Sequence, residues 1–315
     1  MIKIVEVGPR DGLQNETATV PTDTKVAFVN ALSETGVEEI EVSAFVSPHK
    51  VPQLSDAGDV FRKIRRKDGV LYSALVPNEL GLERAVAAKV DRISLFTAAS
   101  ETFNRKNINT SVEGSLKRFR PIVKRAMRMG LPIRGYLSTA FWCAFEGRIP
   151  PRAVVDLAQK LTDMGVGEVS ISDTIGKATP DEVARLLDAL LPRVAPEQIA
   201  MHFHDTQGRA VANVLKSRTY GIQIFDASVG GLGGCPFAPG AAGNVATESV
   251  VEALTGQGEA VGVDIDKLLR ARELLDPFLL EERRQLPGPG SLVCEACEFY
   301  GGEACCKPEK NRITS

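Results

Sequence analysis

The feature that most constrains this chain is an alternation. Short β-rich runs recur at residues 2–7, 39–43, 71–76, 92–96, 133–138, 168–172, 199–204 and 224–228, eight in all. Amphipathic stretches of helical period separate them, among them 24–35, 79–88, 112–129, 151–164, 181–191 and 209–219. Strand-then-helix repeated eight times predicts an α/β fold of the (β/α)8 TIM barrel type, with parallel strands closed inside a ring of helices. A doubly wound open sheet is the competing architecture, but no glycine fingerprint follows the first run.

Local signals support the alternation. Thr179-Pro180-Asp181-Glu182 reads as a helix start, with a capping threonine, proline at the first helical position and glutamate three residues on. Thr110-Ser111-Val112-Glu113 carries the same threonine-to-glutamate spacing. Gly36, Gly130, Gly165 and Gly221 stand just before strands, where helix ends need a left-handed residue. Residues 264–282 read as a charged helical stretch, and Leu286-Pro287-Gly288-Pro289-Gly290 then breaks the chain. The expected organisation is a catalytic barrel over 1–285 and a flexible tail over 286–315.

That tail holds Cys294, Cys297, Cys305 and Cys306, while Cys143 and Cys235 are single, so the cysteines do not form a disulfide framework for the fold. Adjacent cysteines do not match paired zinc spacing. Metal binding, thiol–disulfide switching and a plain disordered tail stay open. The net charge of −2 excludes a general nucleic-acid binder, and the basic run Arg62-Lys63-Ile64-Arg65-Arg66-Lys67 reads as a solvated helix end. No apolar run approaches the ~20 residues that cross a bilayer. The chain enters a strand pattern at Ile2 rather than a secretion signal, so a cytoplasmic location with no membrane partner is expected.

A barrel carries its active site at the C-terminal ends of its strands. Polar residues collect there. The first strand ends in Gly8-Pro9-Arg10-Asp11-Gly12-Leu13-Gln14, the second carries Glu41, and the sixth ends in Asp173-Thr174. The seventh carries His202 and His204, and the eighth runs into Gly230-Gly231-Leu232-Gly233-Gly234-Cys235, then Gly243-Asn244. Histidines at i and i+2 of a strand share a face. Read alone, the pair is either a metal site or two histidines satisfied by hydrogen bonds. Asp11 and Asn244 offer oxygen donors from other strands, and a mixed nitrogen and oxygen set suits Mg²⁺, Mn²⁺ or Zn²⁺. The rival readings are a strand-end ion pair for Arg10 and Asp11, a buried partner for Arg10 in Glu41, capping by Asp173, a buried apolar thiol at Cys235 and a helix start near Asn244.

Several motifs resemble the hydroxymethylglutaryl-CoA lyase family, within the metal-dependent lyase and Claisen-type superfamily. They are Val5-Glu6-Val7-Gly8-Pro9-Arg10-Asp11-Gly12-Leu13-Gln14-Asn15-Glu16, Glu41-Val42-Ser43-Ala44-Phe45-Val46-Ser47-Pro48, Ser172-Asp173-Thr174-Ile175-Gly176, His202-Phe203-His204-Asp205-Thr206, and Gly230-Gly231-Leu232-Gly233-Gly234-Cys235-Pro236 followed by Gly243-Asn244. The resemblance implies a divalent-metal lyase, with Mg²⁺ or Mn²⁺ ahead of Zn²⁺, that splits 3-hydroxy-3-methylglutaryl-CoA into acetyl-CoA and acetoacetate. By motif position Asp11, His202, His204 and Asn244 take the metal-ligand places, Arg10 and Cys235 the catalytic ones, and Glu41 and Asp173 polar active-site positions. Gln14, Gly233 and Gly234 fall on substrate-facing loops. An acyl-CoA partner and a homodimer are also implied.

One stretch departs from the family pattern. Thr139, Trp142 and Ala144 replace a cysteine, a small residue and a proline, and Trp142 is the only tryptophan. A bulky ring there either reshapes the acyl pocket or packs beneath the loop. The departures leave a related 3-hydroxyacyl-CoA as an alternative substrate. A Claisen-type synthase and a non-catalytic metal scaffold are the other readings, and Arg10, Asp11 and Cys235 together speak against the scaffold. After the fourth strand, Arg105 and Lys106 are candidates to meet CoA phosphate or to be plain solvated loop.

Overall fold

Strands buried on both faces are satisfied inside a parallel sheet covered on both sides. That is how this chain folds. The computed structural model describes residues 1–233 and 243–279. In chain order it runs β1 (Lys3–Glu6), α1 (Thr22–Ser33), β2 (Glu39–Ala44), α2 (Ala57–Lys63), β3 (Leu71–Leu75), α3 (Glu79–Ala87), β4 (Arg92–Ala98), α4 (Glu101–Ile108), α5 (Val112–Arg128) and β5 (Ile133–Ser138). A short hairpin, β6 (Trp142–Cys143) and β7 (Gly147–Arg148), precedes α6 (Pro151–Met164) and β8 (Glu168–Asp173). Then come α7 (Pro180–Leu190), β9 (Ile199–Phe203), α8 (Ala210–Thr219), β10 (Ile224–Ala227), α9 (Thr247–Gly256) and α10 (Ile265–Glu273).

Eight strands close in the order β1-β10-β9-β8-β5-β4-β3-β2, and every pairing in the ring is parallel. β1 pairs with both β10 and β2, which seals the barrel. The eight expected runs are these eight strands, with ends moved by one or two residues. β2, β5 and β8 are buried along their whole length. The hydrophobic core fills the layer between strands and helices, with Phe28, Leu82, Phe119, Leu161, Leu187 and Leu254 buried against it.

Helix boundaries follow the capping chemistry. Thr179 accepts from the Glu182 amide, and the Glu182 side chain returns to the Thr179 amide, so the capping box is formed. The second box is not: Ser111, not Thr110, caps α5, by accepting from the Gly114 amide at 3.0 Å. The helix end read at Arg62-Lys63 closes α2 and the helix start read near Asn244 opens α9, whereas α4 and the hairpin were not separated out by the sequence pattern. The charged stretch after 263 forms α10 and then a short 3₁₀ turn, Asp276–Phe278. The expected tail, with Cys294, Cys297, Cys305 and Cys306, lies outside the described residues, as do Gly234 and Cys235. Among the described residues no helix is long and apolar enough to cross a membrane.

The barrel interior is polar. Arg134 on β5 pairs with Asp226 on β10, and Tyr136 on β5 donates to Glu41 on β2 at 3.0 Å. Neither pair of strands is adjacent in the ring, so both contacts cross the lumen. At the N-terminal end Lys3 and Arg92 meet Glu39 and Glu168 at 2.6–3.6 Å. Polar layers stacked along the axis thus lead from this ion cluster to the rim where the histidines stand.

Candidate active site

The rim is built first by a turn. After β1 the amides of Arg10, Asp11 and Gly12 all converge on the Val7 carbonyl, at 3.1, 2.7 and 3.2 Å, forming a single π-turn over Gly8–Gly12. Such widened turns are costly in ordinary helices and concentrate at functional sites. Here the turn points Arg10 and Asp11 into the barrel mouth. Glu6, fully buried at the top of β1, holds it in place. Its Oε1 accepts from the Gly8 amide at 2.8 Å and the Val229 amide at 3.0 Å, and its Oε2 accepts from the Thr247 hydroxyl at 2.7 Å. A side chain on Gly8 would lie 2.7 Å from Glu6 Oε1 and would have to displace that carboxylate from its hydrogen bonds. Burial, opposed by these hydrogen bonds, raises the Glu6 carboxyl to about 7.

Arg10 is 5% exposed. Its Nε donates to Glu41 Oε2, its Nη1 donates to Asp11 Oδ1 at 2.5 Å, and its guanidinium carbon sits 5.0 Å above the Tyr136 ring. Burial works against its charge, but the carboxylates of Glu41 and Asp11 outweigh that and raise its pKa. Burial lifts Glu41 above the usual carboxylate range despite Arg10. Glu41 Oε1 is buried with no hydrogen-bond partner among the described residues.

Both histidines are buried, and their ring centroids stand 5.3 Å apart. His202 Nδ1 is 3.3 Å from Asp226 Oδ2, and its Nε2 faces Asp11 Oδ2 at 4.0 Å. His204 pairs with Asn244 as an isolated antiparallel bridge, which brings the loop after β10 back to the end of β9. The Asn244 amide then donates to Asp11 Oδ2 at 3.1 Å and to the Leu232 carbonyl at 3.0 Å. One ligating atom each from Asp11, His202 and His204 lie within 4.8 Å of one another. Burial, then the neighbouring His202, pushes His204 down to about 4, so it is a neutral imidazole at physiological pH. Burial opposes ionisation of Asp11, but Arg10 and the two histidines hold it below the usual range.

These donors fit a divalent cation. His204 Nδ1 and Asn244 Oδ1 are buried and without a hydrogen-bond partner among the described residues. Orphaned buried acceptors are costly unless something occupies them. Two imidazoles, a carboxylate and an amide oxygen form a mixed set that a borderline or hard divalent ion accepts. Gly233, with φ of +113°, closes the site from the side, because a side chain there would lie 2.6 Å from Asn244 Nδ2.

The remaining expected residues fall around this cluster. Asp173 stands at the rim, and its carboxylate accepts from the Lys177 and Ala178 amides at 3.1 and 2.8 Å. Burial raises it to about 6. Gln14 is half-buried just beyond the π-turn. Trp142 packs against the outer core, with its Nε1 donating to Glu182 Oε2 at 3.2 Å and Lys177 Nζ 4.8 Å from its ring. Its partners lie on α7, on the loop before it and, in Arg148, on β7. Thr139 has a left-handed backbone, φ +55°, unusual for a β-branched residue; its hydroxyl accepts from the Ser100 amide at 3.2 Å. Arg105 is 71% exposed and 3.9 Å from Glu101, whereas Lys106 Nζ lies 4.8 Å over the Phe145 ring. Sequence reasoning missed Glu6, Arg134, Tyr136 and Asp226. The available signal was parity, since Arg134 and Tyr136 share one face of β5, and Asp226 is in register with His202.

The comparisons with known proteins converge on one group. The family model described as HMGL-like matches residues 1–275. A relative from Rattus norvegicus, "3-hydroxy-3-methylglutaryl-CoA lyase, cytoplasmic", is 47% identical over 274 residues, spanning 87% of this chain and 80% of the relative. The crystal structure of the HMG-CoA lyase from Brucella melitensis superposes with a TM-score of 0.87 at 48% identity, covering 90% of this chain and 99% of that one. An HMG-CoA lyase from Acinetobacter baumannii, solved in complex with coenzyme A and 3-methylmalate, gives a TM-score of 0.83 at 39% identity over 87% of this chain and 90% of that one.

Proposed function

The chain belongs to the HMGL-like family, and from that premise we propose that it is a divalent-metal-dependent carbon–carbon lyase cleaving 3-hydroxy-3-methylglutaryl-CoA to acetyl-CoA and acetoacetate. The observation that carries the proposal is the convergence of Asp11, His202 and His204 beside Arg10, with buried acceptor atoms of His204 and Asn244 left for a ligand. Asp11, His202, His204 and Asn244 are the residues that would hold the cation, with Mg²⁺ or Mn²⁺ favoured over Zn²⁺.

Cleavage beside a tertiary alcohol requires loss of the hydroxyl proton and stabilisation of a thioester enolate. A cation held by Asp11, His202, His204 and Asn244 would supply Lewis acidity toward the substrate hydroxyl. Glu41 Oε1, unpartnered and with its proton affinity raised by burial, is the atom we assign to receive that proton. Arg10 keeps its charge in a buried setting and is clamped by Glu41 and Asp11, which suits it to the charge developing on the enolate oxygen. The enolate carbon must then be protonated, and Cys235 is assigned as that donor. Asp173, bonded to two loop amides, is assigned to holding the rim around the reacting groups. Gln14 and Gly233 are assigned to the substrate-facing wall, with Gly234 beside them in sequence.

A barrel over 1–285, a homodimeric state and a cytoplasmic location belong to the same proposal. A related 3-hydroxyacyl-CoA is the second reading, favoured by the positive-φ Thr139 that replaces a cysteine on the rim. The test is acetyl-CoA release from a panel of 3-hydroxyacyl-CoAs with Mg²⁺ or Mn²⁺, and again after chelation. The proposal expects release from 3-hydroxy-3-methylglutaryl-CoA that chelation removes. No release from any member of the panel contradicts it.

A further inference from the structure

A charge chain runs through the barrel to one of the histidines. Glu168 lies 3.2 Å from Arg134 Nε, Arg134 Nη2 donates to Asp226 Oδ1, and Asp226 Oδ2 meets both the Ser170 hydroxyl at 2.7 Å and His202 Nδ1 at 3.3 Å. Arg134 is 0% and Asp226 1% exposed. A carboxylate buried alone would take up a proton. Here Arg134, which stays charged at any working pH, faces it directly. Asp226 therefore sits between a fixed cation at one oxygen and the Ser170 hydroxyl, a donor, at the other.

An ionised carboxylate can only accept hydrogen bonds. The His202 nitrogen that faces Asp226 must therefore be the donor, and the ring proton belongs on Nδ1. That leaves the lone pair of Nε2 on the side of Asp11, 4.0 Å away, where the ligating atoms converge. We propose that Asp226, paired with Arg134 across the barrel, is a positioning residue that fixes the His202 tautomer and ring orientation for cation binding. The arrangement is carboxylate–histidine–metal coupling, in which the outer carboxylate orients the ligand and raises its basicity. The inference rests on the metal reading given above and goes beyond it. It assigns a task to a charge that touches neither substrate nor cation, and it explains why a fully buried Arg–Asp pair occupies the lumen. Such a pair is weak evidence for stability by itself, since desolvation offsets most of its Coulomb energy.

The chain has only three histidines, and His49 is exposed on a loop, so selective ¹⁵N-histidine labelling gives a readable spectrum. In the metal-free wild-type protein at neutral pH, with signals assigned from His49→Gln and His204→Gln, His202 is expected as the Nδ1-protonated tautomer. Mn²⁺ titration by calorimetry then compares wild type with Asp226→Asn. The expected result is a Kd weakened about 10–100-fold, with kcat largely recovered at saturating Mn²⁺ and an unchanged His49 signal. A His202 proton on Nε2 in the wild type overturns the inference, and this readout needs no variant to fold. Equal Mn²⁺ affinity in wild type and Asp226→Asn overturns it while leaving the metal reading intact. A wild-type protein that does not bind Mn²⁺ overturns both.

Discussion

Asn244 donates from Nδ2 to Asp11 Oδ2 at 3.1 Å, joining residues 233 positions apart in the chain. The bond spans the seam where β1 meets β10, and it leaves Asn244 Oδ1 buried and unpartnered beside the histidines. Asn244→Ala removes both the seam bond and the oxygen assigned to the cation. Mn²⁺ affinity is expected to fall by at least about 10-fold, given what outer-shell losses alone cost, and calorimetry of the metal-free protein measures it.

Arg10 is gripped at two nitrogens by two carboxylates, so its fork geometry matters as well as its charge. Arg10→Lys keeps the charge and loses the fork. The expected outcome is a kcat lowered about 10²–10³-fold, the loss typical of removing a preorganised stabilising donor, with Mn²⁺ affinity close to wild type. Steady-state kinetics beside metal titration separates the two effects.

Glu6 gives a pH signature. Its folded pKa of about 7 lies above the unfolded value of 4.5, so between these values the native state holds more protons than the unfolded chain. Its contribution to stability is therefore complete below 4.5 and is lost as the pH rises to about 7. Glu6→Gln preserves the acceptor for the Gly8 and Val229 amides and cannot ionise. The melting temperature of Glu6→Gln minus that of wild type is expected to rise across this window and level off above it. A flat difference would remove Glu6 as a buried titrating clamp.

Trp142 donates to Glu182 and stands near Lys177 and Arg148, partners on the outer side of the rim. Trp142→Ala is expected to lower the melting temperature while leaving the order of preference among 3-hydroxyacyl-CoAs unchanged. A changed order in the acyl-CoA panel would place the ring in the acyl pocket instead.

The sequence was most legible where the backbone pattern repeats. Eight β-rich runs are the eight barrel strands, because each keeps β-branched and apolar residues on the face toward the helices whatever lies inside the ring. The i and i+2 spacing of His202 and His204 identified two ring neighbours, and strand-end logic brought Asp11 and Asn244 to them. The interior was harder to read. Arg134, Tyr136 and Asp226 sit within apolar strands, and what they meet depends on which strands face each other across the lumen. Closure of the ring decides that, and no local spacing encodes it. Ser111 rather than Thr110 caps α5 by accepting from the Gly114 amide, which puts Glu113 two residues past the cap, one short of a capping box. The helix start read near Asn244 is α9, which begins at Thr247, three residues on, so Asn244 itself is left in the loop at the rim.

The most direct test is Mn²⁺ binding to the metal-free protein, wild type against His204→Ala. His204 offers a neutral imidazole with an unpartnered Nδ1 and sits within reach of Asp11 and His202. The account predicts one ion bound per chain in wild type, with binding and acetyl-CoA release lost together in His204→Ala while the melting curve stays cooperative. Unchanged Mn²⁺ affinity in the variant would contradict it.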